Sequence, residues 1–364
     1  MHTTRLLSLL TLLALASCQQ DSKETIDLSS HIVGLQWHIV PKAADTLLID
    51  GKADDKAWDA AKFSESFIDI EGVKTPKYDT QMKMLWDDDY LYVFAEMEEP
   101  HVWGDLKQRD TVIFYNNDFE VFLSPSGTTM NYGEIEINAL GTVWDLLLDK
   151  PYRVGGKANN HWNLDDLKSA VSIRGTLNDP SDTDIGWSVE LAIPMKALLE
   201  LKDHPKDLPV EGEQWRVNFS RVNWDHEIVN GKYYRKKDAD GKFLPEYNWV
   251  WSNQNVINMH EPEKWGVIQF TEKTRSIKID LIQDPDMLIE QLAFALFRET
   301  NFGSLKHLLD LEVGKTKTID VRYFDQQLDA RYYRTNMGFE YTLTNPETGK
   351  VIVINEIGSI GAHP

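Results

Sequence analysis

Four segments of this chain alternate apolar and polar residues with a period of two, and that alternation strongly limits what the chain can fold into. In DFEVFL, Phe119, Val121 and Leu123 fall on one face of an extended strand, and Asp118 and Glu120 on the other. In GEIEINA, Ile135, Ile137 and Ala139 oppose Glu134, Glu136 and Asn138. WSVELAI sets Trp187, Val189, Leu191 and Ile193 against Glu190, and WRVNFSR sets Trp215, Val217 and Phe219 against Arg216, Asn218 and Ser220. Strands with one clean apolar face bury those faces against one another, which predicts an all-β, jelly-roll-like sandwich. Further short strands joined by Gly, Pro, Asn and Asp extend the pattern over residues 31–271. Helical pieces are few. DDKAWDAAKF fits one or two turns with Asp54 as N-cap, and PMKALLEL fits another with Pro194 near its first turn. Beyond a boundary near 272 the chain reads as a small helix-plus-strands extension over 272–364, its helical part interrupted around Asn301-Phe302-Gly303.

The hairpin at 116–138 concentrates carboxylates. With Leu123 opposite Tyr132 or Gly133, Glu120 lies near Ile135 or Glu136. Two carboxylates facing across a strand pair repel, by up to about 1 kcal/mol on a wet surface. An arginine such as Arg216 or Arg221 would relieve this, as would a bound cation such as Ca²⁺ or a raised pKa of the kind a general acid has. Parity leaves these open, together with a plainly solvated outer face.

The N-terminus has a different character. Arg5 precedes an apolar run, Leu6 to Ala14, in the manner of a secretory signal, and Leu15-Ala16-Ser17-Cys18 resembles a bacterial lipobox. That resemblance implies a signal peptide over 1–17 and lipidation of Cys18, followed by a polar tether over 18–30. It implies anchoring at the outer membrane or cell surface, with the periplasmic side also open. Cys18 is the only cysteine, so no intrachain disulfide is expected. The net charge of −20 repels phosphate backbones and argues against nucleic acid as a partner.

Twelve tryptophans offer apolar plates on which sugar C–H faces stack, while carboxylates, amides and arginines suit the hydroxyls. Trp58, Trp187, Trp215 and Trp265 sit at apolar-periodic positions and read as core. Trp103, Tyr115, Trp144, Trp224, Trp249 and Trp251 lie at strand ends or in polar loops and are freer to bind, and Arg109, Tyr152 and Arg153 could reach the polar face from flanking loops. Acidic turns at Asp50, Asp54, Asp87 and Asp89 are candidate calcium ligands. The histidines show no H-E-x-x-H spacing.

The segments IDGKADDKAWDAAK, MLWDDDYLYVFAEMEEP, NNDFEVFLSP, EIEINALGTVWD, GWSVELAIPMKAL, WRVNFSRV and HEPEKWGVIQF stand in the order found in family 9 carbohydrate-binding modules. The chain resembles that family over roughly residues 45–271. The resemblance implies a sugar-binding β-sandwich that commonly carries structural calcium and is best known as an accessory module of xylanases. It carries Glu120 and Asn138 over as polar residues of the sugar site and Tyr115 as its first aromatic plate. The second plate falls at or near Met259, and a family arginine falls near Glu136; here neither position keeps the family's residue type. Trp103, Trp251 or Tyr152 is then the candidate to supply a plate from another loop.

The expected binding set is therefore Trp103, Arg109, Tyr115, Asp118, Glu120, Glu136, Asn138, Trp144, Tyr152, Arg153, Arg216, Asn218, Trp251 and Met259. The expected function is capture of a xylan- or glucan-like oligosaccharide or polysaccharide for catabolism, with glycan-degrading enzymes as possible partners. A glycoside hydrolase is the alternative; it would use Glu120 and Glu136 as acid and base, with carboxyl groups about 5 to 9.5 Å apart. A haem-binding sandwich is a further alternative, for which the adjacent Met259 and His260, pointing opposite ways in a strand, are poor joint ligands.

Overall fold

The computed structural model describes residues 23–274 and 279–363. The predicted signal peptide and Cys18 lie outside them. Two sheets face each other. The larger, of nine strands, runs Trp37–Pro41, Gly266–Thr271, Gln214–Asn223, Asp118–Ser124, Tyr132–Asn138, Val143–Leu148 and Ala158–Asn159; Tyr247–Val250 pairs with the end of the Gln214–Asn223 strand and in turn with Ile68–Asp69. The smaller runs Lys168–Arg174, Gly186–Pro194, Tyr90–Glu98 and Thr80–Trp86. The apolar alternates meet between them, Phe119, Val121, Ile135, Ile137, Val217 and Phe219 against Val93, Ala95, Trp187, Val189 and Leu191. The fold is thus the β-sandwich that parity predicts. In the central hairpin Leu123 pairs with Gly133 and Glu120 with Glu136, one of the two predicted registers.

The outward Glu190 of the smaller sheet has a structural task. It accepts hydrogen bonds from the Trp58 indole (3.0 Å) and from the backbone N–H groups of Asp50 (2.9 Å) and Gly51 (3.1 Å). This fastens the 49–60 segment over the sheet. Gly51 has φ +86°, and a Cβ there would lie 2.7 Å from the Ser172 nitrogen, so only glycine fits the close approach. The short helix that follows, Lys56–Ala60, is a 3₁₀ turn preceded by Asp55, so Asp54 is not its cap. The Asp55 side chain makes no cap bond either and accepts the Leu48 N–H instead. The second predicted helix forms at Met195–Glu200.

The C-terminal unit is a six-stranded sheet with a helix, Met287–Phe302, laid on the Phe339–Thr344 and Val351–Asn355 strands. The helix stops before Gly303 and resumes as a 3₁₀ turn at Lys306–Asp310, at the predicted interruption. One edge of this sheet is Glu24–Asp27, which runs parallel to Thr316–Tyr323. Residues assigned from sequence to a polar tether are there a paired strand, because Thr25 and Ile26 find a partner far away in the chain. The unit docks on the sandwich through Arg298, which reaches Glu263 (2.7 Å) and Glu261 (3.5 Å), and through Arg216, which reaches Glu290 (3.5 Å).

Candidate functional site

The inward turn of Phe119, Val121, Ile135 and Ile137 forces Asp118, Glu120, Glu134 and Glu136 onto the outer face of the larger sheet. That face is not the open, solvated wall that remained one reading of the sequence. All four carboxylates are buried, none more than 4% exposed. Beside them an apolar cluster of Phe122, Tyr132, Leu146, Leu148, Val250, Met259 and Trp265 covers the sheet. One oxygen each of Asp118, Glu120 and Glu136 lies within 4.8 Å of the others.

Few protein groups satisfy these acids. Glu136 accepts the Phe114 N–H at 2.8 Å. Both Asp118 oxygens, Glu134 Oε2 and the hydroxyl of Ser220 make no hydrogen bond of sound geometry, although the Val222 N–H lies near Asp118 and Ser220 near Glu120. The arginines that could have neutralised them are engaged elsewhere: Arg216 with Glu290, and Arg221, whose side chain points into the sandwich, with Glu99. Burial therefore raises Asp118, Glu134 and Glu136 well above the ordinary carboxylate range, and repulsion from neighbouring carboxylates raises them further. Burial pushes Glu120 up to about 7.

Glu120, Glu134 and Glu136 open into a hollow of about 270 Å³. The half-buried Trp144, the exposed Tyr152, and Phe114, Asn248, Met259 and His260 also line it. Trp144 is the cross-strand neighbour of Glu136, which sets a ring beside the acids. His260 is tied to the Tyr132 hydroxyl (2.9 Å) and packs edge-on to Tyr152.

A family model described as "Carbohydrate family 9 binding domain-like" matches residues 49–273, more than half of the chain. The chain belongs to this family. No curated protein matches the sequence significantly. Among solved structures, a family 9 carbohydrate-binding module from Caldicellulosiruptor kristjanssonii in complex with cellotriose is 14% identical, covering 68% of this chain and 100% of that one, at a TM-score of 0.42. The same organism's family 9 module in complex with glucose is 15% identical over 68% and 100%, at 0.41. A protein from Bacteroides uniformis is 16% identical over 65% and 100%, at 0.48. At such identities and TM-scores, the family match is the finding that carries weight.

Within this family 9 domain the residues singled out in the sequence divide. Glu120, Glu136, Trp144, Tyr152 and Met259 line the one hollow, with Asp118 beside Glu120 and Glu136. Trp103 and Tyr115 line a different hollow of about 500 Å³, with Tyr233, Tyr234, Arg235 and Phe243. Trp251 does not reach the polar face: it is 3% exposed and belongs to the sandwich core. Trp249 and Trp224 are likewise buried rather than free. Asn138 holds a turn, donating to the Leu106 carbonyl and accepting from the Leu140 and Thr142 N–H groups. Asn218 is spent on the Ser252 backbone and Arg216 on the Gly127 and Glu263 carbonyls. Arg109 pairs with Asp145, and Arg153 bonds the Ile257 carbonyl.

The acidic turns do not gather into a cation site. Asp50 pairs with Lys52, and Asp87 accepts from the Asp89 and Tyr90 N–H groups and the Tyr92 hydroxyl. Asp54 joins no such cluster; among the described residues the one acidic group of metal-binding geometry is Asp118, Glu120 and Glu136. Met259 and His260 both line the hollow, because residues 258–261 form a loop rather than the strand that would point them apart. Sequence reasoning passed over Glu134, Phe114, Asn248 and His260 as site residues. Glu134 shares the parity of Glu136, and Asn248 follows once Tyr247–Val250 is recognised as a strand.

A pH dependence of stability follows. A carboxyl group whose folded pKa is raised contributes stability fully below its unfolded value near ~4, and loses it as pH climbs through the folded value. Burial pulls His38 and His260 down to about 4, with the opposite slope confined to the range below their unfolded value of ~6.5. In chelator, the melting temperature is therefore expected to fall as pH rises from about 6.5 through the Glu120 value of about 7, and Glu120→Gln to flatten that fall. A wild-type profile that is level or rising over this window, read by differential scanning calorimetry, rules the assignment out.

Proposed function

We propose that the protein captures oligosaccharide in the hollow lined by Trp144, Tyr152 and the buried carboxylates, without cleaving it. One observation carries this reading. Two accessible rings stand beside three carboxyl groups, one of which, Glu134, has an oxygen that no protein group occupies, in a domain of a carbohydrate-binding family. A ring stacks on the apolar face of a sugar, and unpartnered buried oxygens accept its hydroxyls. The ligand class is a neutral β-linked glucan or xylan, since an acidic surround disfavours uronates at this hollow. Cleavage is disfavoured by geometry. Glu120 and Glu136 face each other in register on one face of one sheet, whereas a hydrolase sets its two carboxyls on either side of the scissile bond. In this reading Cys18 carries a lipid that holds the protein at the bacterial outer membrane, where it serves polysaccharide catabolism beside glycan-degrading enzymes.

The test uses Cys18→Ser protein, which is expected to leave the membrane fraction and so permit a glycan array followed by calorimetry. Cello- or xylo-oligosaccharides are expected to bind. Trp144→Ala and Tyr152→Ala are each expected to weaken binding by about tenfold, or ~1.4 kcal/mol. An array without a single neutral β-glycan hit sinks the reading.

A further inference from the structure

We propose that Asp118, Glu120 and Glu136 together hold one divalent cation of calcium or manganese size at the base of the hollow. Backbone pairing brings these acids together and keeps them together. Glu120 is directly opposed to Glu136, and Asp118 lies two residues further along the same strand and face. The sheet cannot separate them without breaking register, and a register slip of one residue would turn the apolar alternates out of the core. Buried carboxylates need a counter-charge, and the arginines of the adjacent strand, Arg216 and Arg221, are committed to other acids.

Two further observations point to a ligand rather than to a tolerated clash. Neither oxygen of Asp118, a residue with no exposed surface, makes a hydrogen bond of sound geometry, although the Val222 N–H lies near them. Ser220, also without exposed surface, is the cross-strand neighbour of Glu120. It lies close enough to favour the charged form of Glu120, yet its hydroxyl makes no hydrogen bond of sound geometry. A serine beside a carboxylate ordinarily donates to it. A hydroxyl held loosely next to unpartnered carboxylate oxygens is an environment that suits a hard, oxygen-binding ion.

The donor set fixes the class of ion. Three carboxylates and a hydroxyl are hard oxygen donors, suited to calcium, manganese or magnesium rather than to zinc or copper. His260, the histidine lining the hollow, is bonded to Tyr132. Hydration then discriminates. Magnesium demands near-ideal octahedral geometry and dehydrates reluctantly, whereas calcium accepts irregular sets of oxygen donors, so a buried carboxylate group of this kind favours calcium.

The experiment titrates chelator-treated protein with calcium chloride alone, then manganese or magnesium chloride alone, up to about 5 mM. That ceiling exceeds the ~10⁻⁴–10⁻³ M range of extracellular calcium modules. The expected result is one calcium per chain, a raised melting temperature, and weaker magnesium binding. Asp118→Asn and Glu136→Gln are expected to lower calcium affinity at least tenfold, whereas Glu312→Gln, an exposed acid of the C-terminal unit, leaves it unchanged. Because the two amide variants remove repulsion, their metal-free melting temperatures should equal or exceed wild type, which verifies that they fold. If either fails to fold, terbium on the wild-type chain gives a second readout. Emission sensitised by Trp144 should appear, be displaced by calcium, and weaken severalfold in Trp144→Phe. Absence of calcium binding by wild type, or equal affinity in folded Asp118→Asn and Glu136→Gln, overturns the proposal. Neither result depends on whether a glycan binds.

Discussion

Arg221→Met is expected to cost about 3–5 kcal/mol of folding stability, although it removes no catalytic or surface group. Arg221 has no exposed surface and pairs in register with Phe119, so it points into the sandwich and not toward the outer carboxylates. Its guanidinium donates to the Thr80 hydroxyl (2.9 Å), the Glu98 carbonyl (2.7 Å) and the Glu99 carboxylate (2.9 Å), joining the two sheets. Glu99 also accepts from Asn117 and Asn223, and with Arg221 gone it would remain buried as an uncompensated charge. Most of the loss belongs to that stranded acid, so the double variant Arg221→Met, Glu99→Gln should recover a large part of it. Urea unfolding measures both. A single variant that loses less than about 1 kcal/mol, or a double variant no better than the single, contradicts this account.

Arg298→Met should be comparably damaging, at about 3 kcal/mol or more, but in a different place. The arginine projects from the C-terminal helix onto Glu261 and Glu263, two acids no more than 3% exposed, and Lys264 shares Glu261 at 2.8 Å. Without it Glu263 keeps no cationic partner among the described residues. The expected result is loosened docking: faster proteolysis between residues 272 and 286, and a calorimetric transition that broadens or splits. Cleavage and unfolding unchanged from wild type would show that apolar contact alone holds the two units.

Much of the sandwich was legible because its signal is local. Phe119, Val121, Ile135 and Ile137 alternate with acids over a few residues each, and a strand's two-residue period converts that directly into faces. The same reasoning placed Glu120 near Ile135 or Glu136, of which the second is its partner. It could not show that the outer face is buried, since the cover comes from Met259 and Trp265 in a distant loop. Nor could it show that Arg216 is drawn off to Glu290 in the C-terminal helix, some seventy positions further along the chain. Trp249 and Trp251 were misplaced for a subtler reason. Tyr247, Trp249 and Trp251 do alternate, but the strand they build on, Tyr247–Val250, has only four residues in a polar stretch and reads as loop until its pairing with Arg221 and Val222 is seen. Likewise Glu24–Asp27 carries too short a pattern to declare itself; its partner defines it.

That partner is also late to arrive. Thr25 bonds Asp320 across a sequence separation of 295 residues. At ~5–20 residues per second of synthesis, the earliest strand waits roughly 15–60 s for the segment it must join, while the whole sandwich is made in the interval. During biogenesis the Glu24–Asp27 strand therefore trails as a loose thread with an unclaimed backbone edge, and it is sewn in only after the sandwich has been made.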